Sequence, residues 1–277
     1  MPEIKVDGKS AFYTTGGKSW EDGLPLLVFV HCAGGNQSMW ILQSRALAHH
    51  GWNVAAVDLP GHGYSEDVEG TATLEDYASW VGRFAGALDA GPAVLAGHSM
   101  GAGVCLTLAA ARPEQISGLI MIATRAHTEV NEGLLRDTAE NPARATAFIT
   151  AFSHSQRSHL GSAPTPGNWL LGSAQALLNG CSGEVLHRDF VASHQWDGMA
   201  YAHKVRCPAL MITGEQDRMT PAALGRKLAE AIPGAGCTEI PAVGHFVMIE
   251  APRVVLKVMQ DFLAGLPAAA NQSASTG

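Results

Sequence analysis

Charge is scarce in this chain, and positive charge is the scarcer. Asp, Glu, Lys and Arg make up 16% of the 277 residues, and 25 acidic against 18 basic residues give a net charge of −7. A disordered chain carries more charge, and a protein that binds nucleic-acid phosphates carries an excess of Lys and Arg. Neither class fits. The hydrophobic fraction of 47% is enough to bury the core of a large domain.

Long apolar runs and clustered cysteines are also missing. No apolar run reaches the roughly 18 residues that a membrane-spanning helix needs. The five cysteines are scattered, with no C-x-x-C pair and no zinc spacing, so we expect reduced thiols, no metal and no cofactor. Residues 1–7 lack the basic and apolar regions of a signal peptide. We therefore expect a cytoplasmic protein without membrane or nucleic-acid partners.

Continuous apolar runs alternate with helical patterns along most of the chain. The runs are typical of strands buried on both faces of a parallel sheet, at 26–30, 54–57, 92–96, 119–122 and 209–212. Between and after them, helical spacing predicts helices at 40–50, 74–88, 222–231 and from 252 onward. Strands and helices in this alternation predict an α/β fold with right-handed crossovers.

The stretch from Thr124 to Lys204 breaks this alternation. It has helical patterns at 133–138, 142–152 and 168–178 but no run typical of a buried strand. An insertion of this size between two sheet strands predicts a helical cap over the carboxyl edge of the sheet, and we name residues 124–204 the cap segment. The predicted core comprises residues 1–123 and 205–267. The cap comprises residues 124–204, and residues 268–277 are predicted to form a flexible tail.

The most informative motif is Gly97-His98-Ser99-Met100-Gly101, which reads G-x-S-x-G. It follows an apolar run and precedes a run of small residues compatible with a helix. A nucleophile elbow needs this context of strand, sharp turn and helix, with glycines that leave room for the strained serine. We therefore predict that Ser99 is the nucleophile.

A serine hydroxyl needs a general base oriented by a carboxylate. Asp217 follows the strand 209–212, and His245 follows a predicted strand at 237–240. Both lie at carboxyl ends of parallel strands, where open α/β sheets place their sites. We predict Asp217 as the acid and His245 as the base. Glu215, on the same loop as Asp217, is the alternative acid.

A tetrahedral intermediate also needs backbone N–H donors for its oxyanion. Met100, directly after the serine, is predicted to supply one. The other is expected from the loop 31–35, and we assign it to Ala33, with Cys32 and Gly34 as alternatives.

These motifs together resemble the α/β-hydrolase superfamily over nearly the whole chain outside the cap segment. The matching stretches are His31–Gly35, Asp58–Ser65, Gly97–Gly101, Gly214–Asp217 and Gly244-His245. The resemblance implies a mostly parallel eight-stranded sheet flanked by helices, a helical cap, and a triad in the chain order Ser99, Asp217, His245. It also implies that Asp58 and His62 belong to a structural turn. Cys32 departs from the family, whose members usually carry glycine after the histidine.

A serine nucleophile limits the chemistry to acyl transfer and related reactions. We predict a hydrolase that cleaves small to medium carboxylic esters through an acyl-enzyme. The alternatives are a C–C hydrolase of ring-fission or β-diketone-type compounds, which Arg125, Arg157 and the cap histidines would serve, and a lactonase, acyltransferase or perhydrolase. A ligand receptor that retains the triad is a further alternative of another class.

Substrate choice is expected to depend on residues beside the triad and in the cap. The candidates for substrate binding are His31, Cys32, Gly34, His98, His154, Trp169, Trp196 and Phe246. Packing is the competing interpretation for Trp169, Trp196, His98 and His154. The expected partner is a small-molecule ester, and the cap surface permits a homodimer.

Overall fold

The computed structural model describes residues 3–164 and 167–267, and the predicted tail at 268–277 lies outside them. Its centre is an eight-stranded sheet with strand order β1-β2-β4-β3-β5-β6-β7-β8. The strands are β1 (Glu3–Val6), β2 (Lys9–Thr14), β3 (Leu26–Val30), β4 (Asn53–Val57), β5 (Ala93–His98), β6 (Ile116–Ile122), β7 (Ala209–Gly214) and β8 (Gly236–Ile240).

The sheet is mostly parallel, as predicted. Strand β1 pairs antiparallel with β2, and β2 pairs antiparallel with β4. Strands β4, β3, β5, β6, β7 and β8 are parallel to one another. Every residue of β3, β4, β5 and β7 is buried, which explains the apolar run that each of these strands contains. The α/β-hydrolase architecture is therefore confirmed.

Helices cover both faces of the sheet. One face packs against α2 (Leu74–Ala87), α3 (Met100–Ala111) and α10 (Ala222–Glu230), and the other against α1 (Ile41–Ala48) and α12 (Pro252–Ala264). Helix α2 begins at a capping box in which Thr73 and Asp76 exchange hydrogen bonds, so its start follows directly from the sequence. A short helix α11 (Val247–Glu250) follows the loop after β8.

The described part of the cap segment is helical. Its helices are α4 (Glu132–Glu140), α5 (Pro142–Ser153), α6 (Gln156–His159), α7 (Leu170–Asn179), α8 (Gly183–Gln195) and α9 (Met199–Ala202). A small apolar cluster joins α4, α5, α7 and α8. Among the helices of residues 3–164 and 167–267, none has the length and apolar character needed to cross a membrane.

Candidate active site

Ser99 occupies a sharp turn between the end of β5 and the start of α3. Its backbone angles, φ 54° and ψ −116°, lie in a region that residues other than glycine rarely adopt. A Cβ on Gly97 would lie 2.3 Å from the carbonyl oxygen of Gly101, and a Cβ on Gly101 would lie 2.3 Å from that of His31. The turn therefore requires glycine on both sides of a strained serine, which is the geometry of a nucleophile elbow.

Asp217 and His245 lie on the loops after β7 and β8 and are hydrogen-bonded to each other. Nδ1 of His245 is 2.8 Å from Oδ2 of Asp217, and both side chains are buried. Asp217 also accepts from the N–H groups of Met219 and Thr220 and from the Thr220 hydroxyl. A carboxylate can only accept, so a neutral His245 carries its proton on Nδ1 and leaves Nε2 free to take one.

The charge state of Asp217 follows from its surroundings. Burial acts to raise the pKa of this carboxyl, but the adjoining His245 and the Thr220 donors outweigh it and hold the pKa below its ordinary value. Asp217 is therefore ionised at neutral pH. That is the state in which it can orient a histidine and stabilise it as an imidazolium.

The main chain of His245 is held from both sides. Its N–H donates to the carbonyl of Ser153 at 2.6 Å, and its carbonyl accepts from Nε2 of His98 at 2.9 Å. Burial, and next the proximity of His245, lower the pKa of His98 to about 3, so His98 is neutral. His98 supports the backbone behind His245.

Glu250 anchors the same loop to the cap segment. Its carboxylate accepts from the N–H of Gly244 at 3.0 Å, the N–H of Ser155 at 3.1 Å and the hydroxyl of Ser158 at 2.7 Å. Because Ser155 and Ser158 belong to the cap segment, the position of His245 depends on both parts of the molecule.

The loop after β3 presents a free amide. The Cys32 carbonyl accepts from the N–H of Gly35 at 3.0 Å and from Nδ1 of His31 at 2.8 Å, which fixes the peptide unit that carries the Ala33 N–H. Within the described residues, the Ala33 N–H donates to no protein acceptor.

A second free amide lies at the start of α3. The first hydrogen bonds of this helix run from the N–H groups of Ala102 and Gly103 to the carbonyl of Ser99. The N–H of Met100 therefore has no partner within the helix and lies at the positive end of its dipole. Such an end favours developing negative charge.

Ser99, Ala33, Met100 and His245 all line one cavity of about 50 Å³ between the sheet and the cap segment. The rest of the lining is largely apolar and comes from both parts of the molecule: Cys32, Leu74, Gly103, Thr124, Thr128, Ile149, Leu178, Phe190, Ser193, Trp196, Met219, Thr220 and Phe246. No Asp, Glu, Lys or Arg is among these described lining residues. A cavity that binds benzene measures about 150 Å³, so this one accommodates only a small group as it stands.

Three of the eight substrate-binding candidates line this cavity, namely Cys32, Trp196 and Phe246. Trp196 is fixed there by a hydrogen bond from its Nε1 to the Thr107 hydroxyl at 2.9 Å. Burial raises the pKa of the Cys32 thiol to about 12. The thiol is therefore an uncharged part of the cavity lining at physiological pH.

The other five candidates lie outside the cavity lining: His31, Gly34, His98, His154 and Trp169. His31 is fully buried behind the loop and accepts from the N–H of Leu59. His154 stacks behind Phe246, with ring centroids 5.2 Å apart. Trp169 is 70% exposed at the start of α7, and Gly34 packs against α8.

The remaining polar candidates occupy structural positions. Asp58 accepts from the N–H groups of Gln37 and Tyr64, so it holds a turn. Glu215 accepts from the N–H of Ala242 rather than from a histidine. Arg125 and Arg157 do not line the cavity. Within residues 3–164 and 167–267, no cluster of three or more His, Cys, Asp or Glu side chains is arranged to hold a metal.

Two site residues were not found from the sequence. Thr220 donates to Asp217 and lies 3.2 Å from Nδ1 of His245, and its position three residues after an aspartate was an available signal for a local turn. Ser193 of α8 lines the cavity, and its buried hydroxyl has no hydrogen-bond partner among the described residues. No sequence signal distinguishes Ser193 from any other helical serine.

Comparison with known proteins places this fold in a family. The family model described as "Alpha/beta hydrolase family" matches residues 27–258, and the chain belongs to that family.

Individual relatives differ in what they act on. The chain is 25% identical over 252 residues to (E)-2-((N-methylformamido)methylene)succinate hydrolase from Acinetobacter baylyi, covering 89% of this chain and 92% of that one. It is 27% identical to pimeloyl-(acyl-carrier protein) methyl ester esterase from Neisseria meningitidis, covering 90% and 96%. Its structure resembles the enol-lactonase from Burkholderia xenovorans LB400 with a TM-score of 0.85 and 26% identity, covering 95% and 100%. These comparisons establish a hydrolase family that includes esterases.

Proposed function

We propose that the protein is a serine hydrolase that cleaves small to medium carboxylic esters through an acyl-enzyme. The observation that carries the proposal is the convergence on one cavity of a strained serine, a histidine bound to a buried carboxylate, and two free amides. Each part matches a requirement of acyl transfer: a nucleophile, an oriented base and donors for the oxyanion.

In this mechanism Ser99 attacks the ester carbonyl while Nε2 of His245 takes the hydroxyl proton. Asp217 stabilises the resulting imidazolium, and the N–H groups of Ala33 and Met100 receive the oxyanion of the tetrahedral intermediate. Collapse of the intermediate releases the alcohol, which takes the proton from His245. Water then attacks the acyl-enzyme with His245 as base, and release of the carboxylic acid regenerates Ser99.

The cavity supports a short, uncharged acyl group as the preferred substrate portion. Apart from His245, the two free amides and several hydroxyl groups its lining is apolar, and its free volume is below that needed for a benzene ring. We infer that the cap segment selects substrates, because its side chains close one side of the cavity. Lactones are cyclic esters, and the likeness to an enol-lactonase supports including them.

C–C hydrolysis of ring-fission products is the less supported alternative. Such substrates carry carboxylates, which a buried pocket binds by pairing them with cationic side chains. Arg157 is exposed and its Nη2 lies 3.5 Å from the Ser162 hydroxyl, while Arg125 donates to the Glu129 carbonyl at 3.3 Å.

Hydrolysis of p-nitrophenyl esters from acetate to palmitate tests the proposal, with a small lactone series alongside. We expect turnover to be highest for acetate to butyrate and to fall as the chain outgrows the cavity. Ser99→Ala should lower kcat by about 10⁴–10⁶-fold without loss of folding. Ser117→Ala, which changes a half-buried serine of β6 whose hydroxyl donates to the Pro92 carbonyl, is the matched control. Near-native kcat in a folded Ser99→Ala protein would rule the mechanism out.

A further inference from the structure

A carboxylate of the cap segment is buried against the loop that carries Ala33. Asp189 of α8 has no exposed surface, and it accepts three hydrogen bonds from the core. The donors are Nε2 of His62 at 2.8 Å, the hydroxyl of Tyr77 at 2.7 Å and the N–H of Gly34 at 2.9 Å. The ester mechanism leaves this cluster unused.

His62 pairs with Asp189 as a cation. Its Nδ1 lies 3.1 Å from the Pro60 carbonyl and its Nε2 faces the Asp189 carboxylate, so both nitrogens contact acceptors and both must carry a proton. Burial acts to lower the pKa of His62, but the Asp189 charge outweighs it and raises the pKa to about 10. The same partner holds the pKa of Asp189 below its ordinary value against the effect of burial. The two residues form an ion pair with no exposed side-chain surface.

Several titratable groups surround this pair. His31 lies beside His62, with ring centroids 4.7 Å apart, and burial together with the His62 charge lowers its pKa to about 3. Burial and Asp189 raise the pKa of Tyr77, so its hydroxyl stays protonated and donates. Cys181 and Asp58 also face His62, and Arg188 faces Tyr77.

Asp189 fixes the peptide unit next to the one that carries the Ala33 N–H. The two hydrogen bonds to the Cys32 carbonyl hold the first unit, and the bond from the Gly34 N–H to Asp189 holds the second. Gly34 has φ +65°, and a Cβ there would lie 2.6 Å from Leu186 of the same helix α8. The loop is therefore shaped directly against α8.

We propose that Asp189, paired with His62, is a positioning residue that holds the Ala33 amide in the geometry that receives the oxyanion. The proposal rests on the proposed ester mechanism and adds that the transition state depends on a cap residue. A buried ion pair is weak evidence for stability, since apolar residues of similar volume often replace one without loss. Here the carboxylate also binds the amide next to the proposed donor, which an apolar residue cannot do.

Asp189→Leu removes the acceptor and keeps the branched shape of the side chain. We expect kcat for p-nitrophenyl butyrate to fall by about 10–100-fold with little change in KM, because misplacing an oxyanion donor affects only the transition state. The matched control is Asp67→Asn, which breaks another ion pair between α8 and the core, that of Asp67 with Arg188. This control should keep the wild-type kcat.

Two ketones separate positioning from general damage. The trifluoromethyl ketone 1,1,1-trifluoropentan-2-one forms a tetrahedral adduct with a serine, whereas pentan-2-one mimics only the ground state. We expect Asp189→Leu to weaken inhibition by the first about 10–100-fold and to leave the second unchanged. Equal weakening of both, or an unchanged kcat in folded Asp189→Leu, would overturn the proposal.

The double variant His62→Leu with Asp189→Leu serves if Asp189→Leu does not fold, because it leaves no unpaired buried charge. For this double variant too we expect a lower kcat and weaker inhibition by the trifluoromethyl ketone alone. Failure of the ester mechanism is distinguishable, since the wild type itself would then hydrolyse no ester and bind the two ketones alike.

Discussion

Buried apolar residues have different roles in the sheet core and in the cap segment. In the core, the alternate residues of β3 pack into two separate clusters on opposite faces of the sheet. The described part of the cap segment has one small cluster of its own, and three of its members, Ile149, Leu178 and Phe190, also line the cavity beside Ser99. A residue such as Phe29 therefore contributes stability alone, whereas these cap residues contribute stability and shape the substrate pocket at once.

Phe29→Ala tests the sheet core and has the largest expected effect on stability. Phe29 is fully buried and packs on Trp40, with ring centroids 4.9 Å apart. We expect the free energy of unfolding to fall by about 3–5 kcal/mol, measured by urea denaturation. Activity per folded molecule should stay at the wild-type value. A changed acyl-chain preference would show that the core and the pocket are not separate.

Ile149→Ala tests the cap side. We expect the free energy of unfolding to fall by about 2 kcal/mol. This is the low end for an Ile→Ala substitution, because one side of Ile149 already faces a cavity. The new space should shift the preferred p-nitrophenyl ester to a longer acyl chain. Leu134→Ala, within the same cap cluster but away from the cavity, is the control and should lower stability without that shift. If Ile149→Ala keeps the wild-type acyl-chain preference, Ile149 does not shape the substrate pocket.

The pH dependence of stability sharpens the comparison, since the His62–Asp189 pair joins core to cap. The folded pKa of His62, about 10, lies above its ordinary 6.5. Its contribution to stability is therefore complete below about pH 6.5 and is lost as pH rises towards 10, at no more than about 1.4 kcal/mol per pH unit. Asp189 has a lowered pKa, so its contribution is lost as pH falls through the acid range.

Thermal unfolding of the wild type beside the His62→Leu, Asp189→Leu double variant measures this effect. We expect the Tm difference between the two proteins to be largest near pH 6 and to shrink on both sides. A difference that stays constant from pH 6 to pH 9 would mean that His62 is not the titrating group.

The sheet was predictable because each buried parallel strand contains an apolar run of at least four residues. The predicted strands at 26–30, 54–57, 119–122 and 209–212 are confirmed within a few residues, and so is the start of α2 at its capping box. Helix α8 was missed. Its buried side includes Asp189 where an apolar residue would complete the helical pattern, and that charge makes sense only once His62 and Gly34 are placed beside it.

The site was predictable only where local geometry determines it. The turn at Ser99 can be derived from two glycines and their flanking runs, because no other residue fits there. Whether a histidine or tryptophan faces a cavity depends on long-range packing. That is why Trp169 and His154, prominent in the sequence, lie outside the pocket, while Ser193 lies within it.

The cap segment leaves and rejoins the sheet at neighbouring strands, since β6 and β7 pair directly. A foreign cap joined between Ala123 and Val205 would keep these strand pairings, but it would have to replace Trp196 and Ala202, which pack in the core cluster on one face of the sheet. In such chimeras the Gly34 N–H still needs an acceptor from the cap. A transplanted cap that brings no acceptor to the position of Asp189 would give a folded hybrid with a poorly formed site, and supplying that one carboxylate is the first repair an engineer should make.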